Sequence, residues 1–232
     1  MSTGDWSMRL TSKKLKHLIV EVLEEEGKKE RIMKILRGQN DDVDTVAIMS
    51  GQNPMAQQAA PSVNDKLQKD LEKELKSRGY KFERIGGIFG GHSEKSLVIL
   101  NARKADMDEL NRKFGQWGFV FGEKEFTPDR PMTQDEEGMI AGNEAMVYQM
   151  FEIDYDEERG YSPDEYSSPT SQVMGSSQLQ GVDDNFSYIP GGRAGSIPKG
   201  NKILIPLYGS PQSNMPNETI DQILRDLDSF SR

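Results

Sequence analysis

Residues 45–122 alternate between short apolar runs typical of β-strands and apolar residues at helical spacing, and this alternation constrains the fold most strongly. The apolar runs cover residues 45–49, 80–89, 95–100 and 118–122, and helices are predicted over 62–79 and 106–114. The resulting order, βαββαβ, is that of a split βαβ arrangement. We therefore expect an α+β ferredoxin-like sandwich, with another α+β arrangement of the same elements as the alternative.

The first 40 residues form a predicted helical extension. Apolar residues recur at the spacing of one helical face, first at Leu15, Leu18, Ile19, Val22 and Leu23 and then at Ile32, Ile35 and Leu36, until Gly38 ends the pattern. The pattern alone leaves open whether this face packs on its own domain or on a partner. Leu15, Leu18, Ile19 and Val22 are candidate docking residues for a protein partner.

We expect the core domain to span residues 41–126. Secondary structure is harder to predict in the residues that follow it. Residues 127–200 are interpreted as an acidic, mostly flexible linker, in which 146–153 could form a strand or a helical turn. The apolar stretches at 186–190 and 202–208 are compatible with a hairpin or an extended arm. A last helix in 201–232 would present Ile220, Ile223 and Leu227, which would either dock a partner or fold back on the core.

Composition and charge exclude several classes of protein. No stretch of about 18 apolar residues is present, and the start lacks a signal-peptide pattern, which favours a cytoplasmic protein. Residues 123–165 hold 14 Asp and Glu against three Lys and Arg, which makes nucleic-acid binding there unlikely and fits either a solvated connection or a basic partner. With no cysteine and two histidines, the sequence indicates neither a metal site nor a cofactor.

A polar turn follows the first predicted strand, at Ser50-Gly51-Gln52-Asn53-Pro54. A residue before proline is biased toward an extended backbone, which would let the Asn53 amide point away from the sheet edge. Such an amide offers a donor and an acceptor that can recognise a base, a nicotinamide or a peptide group. The alternative is an Asx-type turn that ends the strand.

A second polar cluster, His92-Ser93-Glu94-Lys95-Ser96, precedes the third strand. Side chains two residues apart share a face of a strand, so Glu94 could orient His92 for acid–base work. A hydrolase triad is disfavoured, because neighbours on one strand seldom meet its geometry. The alternatives for His92 are an exposed turn position and a ligand contact.

Other polar and aromatic residues have structural explanations. The glycines at 86–87 and 90–91 lack the Lys-Ser/Thr ending and the following helix of a phosphate-binding loop. Ser62, with Asp65 three residues later, is predicted to cap a helix, and Asp106 and Asp108 fit the favourable charge at a helix start. Trp117 and Phe119 are interpreted as core residues, with stacking on a base as the alternative.

The motifs at the strand ends carry a resemblance. Taken together, Ser50 to Pro54, Asn64 early in a helix, Glu94-Lys95-Ser96 and Phe114-Gly115-Gln116 resemble an uncharacterised domain-of-unknown-function family of bacteria and tailed phages, over about residues 45–123. The resemblance marks Asn53, Asn64, Glu94, Ser96 and Gln116 and implies no activity. The start of the chain is also similar to lysine-then-glutamate helices that begin many marine phage proteins.

The expected convergence of these strand ends suggests a binding site, although it does not identify the ligand or a reaction. We expect a phage-type or bacterial accessory protein, a binding module for a protein partner or a small polar, nucleotide-like ligand. The candidate ligand-binding residues are Asn53, Asn64, His92, Glu94, Ser96 and Gln116. The alternatives are a virion component, which assembly could order, and an enzyme that acts on a nucleotide-like substrate.

Overall fold

The protein has an α+β fold, seen in a computed structural model that describes residues 27–89, 92–127, 131–132, 134, 137, 144–152, 155–156, 160–161, 168–175, 186–188 and 202–203. The helices are α1 (27–36), α2 (Pro61–Ser77) and α3 (Lys104–Lys113), with a short 3-10 turn at Pro54–Ala56. The strands are β1 (Thr45–Ser50), β2 (Lys81–Phe89), β3 (His92–Leu100), β4 (Gly118–Glu123), β5 (Val147–Glu152), β6 (Tyr155–Asp156), β7 (Gly160–Tyr161), β8 (Ser168–Gly175), β9 (Phe186–Tyr188) and β10 (Lys202–Ile203).

The predicted order of strands and helices between β1 and β4 is confirmed. The five strands at the centre of the sheet lie in the order β2-β3-β1-β4-β5, and every neighbouring pair is antiparallel. One boundary prediction is wrong: Ser62 does not cap α2, which begins at Pro61 with Ala60 at the N-cap and no side-chain cap bond. Proline suits the first helical position, because its backbone angle is already helical and it has no N–H to satisfy.

Helices α2 and α3 cover one face of the sheet. Their buried residues, Leu71 and Leu75 from α2 and Met107 and Leu110 from α3, form one core with apolar side chains of the strands: Ala47, Met49, Leu97, Ile99, Phe119, Phe121 and Phe151. Phe119 stacks on Phe151 with a ring-centroid separation of 5.4 Å. The interpretation of Phe119 as a core residue is therefore confirmed.

Helix α1 covers the opposite face of the sheet. Ile32, Ile35 and Leu36 are fully buried against strand residues that include Val46, Ile48, Val98 and Val120, and Trp117 packs against the same core while partly exposed. The buried hydroxyl of Tyr148 on β5 donates a hydrogen bond of 2.5 Å to the carbonyl of Leu36. The question left open by the sequence is thus answered for 27–36, which packs on its own sheet.

The packed unit is larger than the predicted core of residues 41–126. It also includes α1, whose apolar residues cover the second face of the sheet. Strand β5 belongs to it as well, because it pairs with the free edge of β4. Strand β5 lies within the predicted range 146–153, and β9 and β10 form an antiparallel pair next to β2. The candidate docking residues Leu15, Leu18, Ile19, Val22, Ile220, Ile223 and Leu227 lie outside the described residues.

Within the described part of the chain, the helices are too short or too polar to cross a membrane.

Candidate functional site

The loop after β1 packs tightly against helix α2. The backbone N–H of Gly51 donates to Oε1 of Gln68 on α2 at 3.0 Å. A Cβ atom at position 51 would lie 2.9 Å from the carbonyl oxygen of Leu67 and 3.1 Å from the Cα of Gln68. Glycine is required here because any side chain would collide with helix backbone, and this contact sets the path of the following residues.

Side chains of the loop replace the hydrogen bonds that β1 loses when it leaves the sheet. The Ser50 hydroxyl donates to the carbonyl of Lys95 at 3.0 Å, and the Lys95 N–H donates to Oε1 of Gln52 at 2.7 Å. The Gln116 amide in turn donates to the Gln52 carbonyl at 3.1 Å. The end of β1, the start of β3 and the residues before β4 are thereby held together at one edge of the sheet.

Asn53 adopts a left-handed backbone conformation, with φ 49° and ψ 62°, so the prediction of an extended residue is wrong. Its N–H donates to Oδ1 of Asn64 at 2.8 Å, and its own Oδ1 accepts from Nδ2 of Asn64 at 2.7 Å and from the N–H of Ala59 at 3.2 Å. Three hydrogen bonds at about 1 kcal/mol each outweigh the left-handed conformation, which costs about 1–2 kcal/mol. Asparagine also tolerates this region better than most residues.

These bonds determine which way the Asn53 amide points. Two N–H donors meet its oxygen, so its nitrogen must point the other way, where it donates to Oε1 of Glu94 at 3.1 Å. The amide predicted to meet a ligand directly is instead occupied within the protein. Asn53 and Asn64 act as a pair that positions the Glu94 carboxyl.

Glu94 is the titratable group at this edge of the sheet. Burial raises the pKa of the Glu94 carboxyl from 4.5 to about 7, against the lowering effect of the hydrogen bond from Asn53. The single proton of the Ser50 hydroxyl is directed to the Lys95 carbonyl, so the Asn53 amide is the donor to Glu94 among the described residues, whereas a carboxylate offers about four acceptor positions. The carboxyl is only partly buried and keeps unused acceptor capacity.

Ser96 lies on the same face of β3 as Glu94, beside a strand that has no side chain there. The residue is buried, with 6% of its surface exposed. Gly87 on β2 is directly opposite Glu94. A Cβ at position 87 would meet Ser96 Oγ at 2.7 Å and no other described residue within 4 Å. Together Asn53, Gly87, Glu94 and Ser96 are named the Glu94 site.

The structure brings most of the sequence-predicted ligand residues together. Asn53, Asn64 and Glu94 are linked by direct hydrogen bonds, and Gln116 joins them through the backbone of Gln52. The Ser96 hydroxyl fills the space beside Gly87, 2.7 Å from where a Cβ at that position would lie. The backbone of His92 starts β3, but its side chain lies outside the described part, so its predicted role stays a prediction.

Sequence reasoning missed two glutamines that build the site. Gln52 connects the loop to both β3 and Gln116, although the sequence pattern marks it only as part of a polar turn. Gln68 is 4% exposed and interrupts the apolar face of α2. A polar residue at a core-facing helical position usually has a buried hydrogen-bond partner, and that signal in Gln68 could have revealed the contact with the loop.

No positively charged side chain pairs with Glu94 in the described residues. The adjacent Lys95 points to the other face of β3, where its Nζ lies 2.6 Å from Oδ1 of Asp65. Cationic groups instead gather at the far end of the sheet, beside a cavity of about 590 Å³. Its charged lining residues are Arg31, Asp42, Arg78, Lys81, Glu83, Arg103 and Asp106.

The far cavity is occupied by internal ion pairs. Arg31 binds Glu83 at 2.7 Å, and Arg103 binds Asp106 at 2.8 Å. Asp106 also accepts a short hydrogen bond from Tyr80, and it lies in the first turn of α3 as predicted. The charges that line this cavity are therefore largely matched within the protein, in contrast to Glu94.

The Glu94 site lies within a region that resembles a known family. Residues 49–118 match the model of DUF3293, described as a protein of unknown function, which confirms the expected kind of family over this part of the chain. No curated protein and no solved structure matches the chain. The family description adds no reaction or ligand, so the chemistry of the site rests on its residues. Residues 49–118, which hold Asn53, Asn64, Glu94, Ser96 and Gln116, are thus similar to a DUF3293 domain.

Proposed function

We propose that the protein is a binding module that takes a small polar ligand at the Glu94 site. The observation that carries this proposal is a contrast in hydrogen bonding. The amides of Asn53 and Asn64 are bonded to each other and to the backbone, whereas the Glu94 carboxyl accepts from Asn53 and has spare acceptor capacity. Buried polar groups normally have partners, so a largely buried carboxyl with acceptor positions left over suits a polar ligand that completes them.

Rigidity of the surrounding network supports this proposal. The path from Gly51 to Met55 is fixed by bonds to α2, to β3 and to Gly115, whose carbonyl accepts from the Met55 N–H at 2.8 Å. Groups held in place before binding lose little conformational entropy when a ligand arrives. A carboxyl whose pKa is raised by burial is also a common feature of functional sites.

A ligand screen on the full chain tests the proposal. Small polar metabolites and nucleosides are added to the wild type and to Glu94→Gln and Ser96→Ala variants, and binding is measured by thermal shift and confirmed by calorimetry. We expect at least one compound that stabilises the wild type and loses at least tenfold in affinity in both variants. Glu30→Gln, an exposed change on α1, is the control and retains binding. Binding that is unaffected by both site variants would refute the proposal.

An acid–base enzyme is the second candidate, and the raised pKa of Glu94 favours it. A carboxyl with a pKa of about 7 can both accept and donate a proton at neutral pH, which suits a general acid–base catalyst. Incubation of the full chain with nucleotide-like compounds tests this function. Turnover that disappears in Glu94→Gln and persists in Glu30→Gln would support it. A compound that binds at the site but is recovered unchanged would favour the binding module.

We also propose that residues 45–123 form a ferredoxin-like unit. The strand order β2-β3-β1-β4 with antiparallel neighbours, and two helices on one face, supports this description. Strand β5 and helix α1 would then be additions that extend the sheet and cover its second face. An experimental structure in which β1 is not between β3 and β4 would overturn the proposal.

We propose that the predicted docking residues bind a protein partner. This proposal rests only on the helical spacing of Leu15, Leu18, Ile19 and Val22. The structure refines the test. Removal of residues 1–26, instead of the first 40, leaves the buried part of α1 in place. Loss of co-purifying partners from this truncation, with an unchanged unfolding temperature, would support docking, and unchanged association would refute it.

A further inference from the structure

The cavity at the far end of the sheet has an apolar floor. Its volume of about 590 Å³ lies in the range of sites for small organic ligands, roughly 300–1,000 Å³. The buried side chains of Ile35 and Val43 line it together with Leu100, the partly buried last residue of β3. Tyr80 adds an aromatic wall, which is held in place because its hydroxyl donates a hydrogen bond to Asp106. This lining can shield the apolar body of a ligand from water.

Two cationic side chains at the rim of this cavity have N–H donors to spare. Lys81 is the exposed first residue of β2, opposite Leu100, and its ammonium group makes no ion pair or hydrogen bond with any described residue. Glu83 lies two residues further along the same face of β2, where Arg31 on α1 donates to it through Nη2 alone. The other guanidinium nitrogens of Arg31 bind nothing in the described part of the chain. Both cations are therefore available to a ligand.

The carboxylates of the lining are less available than the cations. Glu83 and Asp106 are each bound by an arginine, at 2.7 and 2.8 Å. Asp42, an exposed residue of the loop before β1, is the carboxylate of this lining that has no ion pair among the described residues. The free donors of Lys81 and Arg31 thus face a single free carboxylate. Cations that line a cleft in excess attract an anion.

We propose that this cavity binds a small organic anion, an apolar body that carries one carboxylate or phosphate group. Lys81 and Arg31 hold the anionic group, and the body lies on the apolar floor. Hydrogen bonds between a cation and a carboxylate or phosphate are about twice as strong as neutral ones, so these two residues supply the affinity. Asp42 lies in the same lining and weakens binding by repulsion. The cavity shares no residue with the Glu94 site and is independent of it.

Calorimetry on the full chain separates the two features of the ligand. Benzoate and phenyl phosphate carry both the ring and the charge, benzamide carries the ring without the charge, and inorganic phosphate carries the charge alone. We expect at least one aromatic anion to bind about tenfold more tightly than benzamide and than inorganic phosphate. Its affinity should fall as salt is added, because the cations at the rim are exposed. Equal binding of benzamide or of inorganic phosphate, or failure of both aromatic anions to bind, would overturn the proposal.

Substitutions at exposed positions assign the binding to this cavity. Lys81→Gln should weaken binding of the aromatic anion about tenfold, whereas Lys81→Arg, which keeps the charge, should retain it. Asp42→Asn should strengthen binding severalfold, because it removes the repulsion. Lys73→Gln changes an exposed lysine of α2 outside the cavity and should have no effect. An affinity that is equal in Lys81→Gln and Lys73→Gln, or that falls in Asp42→Asn, would place the anion elsewhere and refute the inference, while the proposal for the Glu94 site would stand.

Discussion

Replacement of Glu94 by glutamine should make the protein more stable at neutral and alkaline pH. Burial gives the folded carboxyl a pKa of about 7, whereas in the unfolded chain it returns to about 4.5. Between these values the folded state binds the proton and the unfolded state does not, so stability falls as the pH rises. A difference of about 2.5 in pKa, at about 1.4 kcal/mol per pKa unit, corresponds to about 3 kcal/mol.

The glutamine variant removes this penalty, because its neutral amide has nearly the same shape and does not ionise. We expect its free energy of unfolding to match the wild type near pH 4.5 and to exceed it by up to about 3 kcal/mol at pH 8, with most of the change between pH 5 and 7.5. Urea unfolding of both proteins over this range measures the difference, which cancels the titration of all other groups.

The matched control is Glu30→Gln. The pKa of Glu30 is lowered by its hydrogen bond and ion pair with Lys34, so its effect on stability should be constant above about pH 5. If Glu94→Gln shows no growing advantage over the wild type, or becomes less stable as the pH rises, then Glu94 is not the raised-pKa group that the site requires.

Three substitutions test the packing around the site by urea unfolding. Asn53→Ala removes the oxygen that accepts from the Asn64 amide and the Ala59 N–H, as well as the amide that donates to Glu94. It should cost about 2–4 kcal/mol and raise the pKa of Glu94 further; a loss below about 1 kcal/mol would contradict the network. Gly51→Ala should cost about 1–3 kcal/mol, because its Cβ would meet helix backbone at 2.9 Å, whereas Gly79→Ala, with open space but a φ of 82°, should cost about 1 kcal/mol. Ile35→Ala should cost about 2–5 kcal/mol if α1 unfolds with the sheet, and no effect would show that α1 is a separate unit.

Local patterns in the chain were sufficient to predict the order of elements in the central region. Period-two apolar runs and helical stripes reflect the repeat of each backbone, so they survive without knowledge of contacts. The same patterns placed Asn53, Glu94 and Gln116 at strand ends that share one edge of a sheet. Their convergence follows from the antiparallel order β3-β1-β4, in which the end of β1 lies beside the starts of β3 and β4.

The role of each polar residue depended on contacts between distant segments. Proline after Asn53 favours an extended backbone, yet bonds to Asn64, 11 residues away, hold it in the left-handed region. The Asn53 amide therefore contacts Glu94 instead of solvent. The raised pKa of the Glu94 carboxyl arises from burial, which no local pattern in the sequence reveals. Coverage of the second sheet face by α1 has the same origin, because an apolar stripe specifies that a helix packs, but only the exposed apolar face of the folded sheet specifies where.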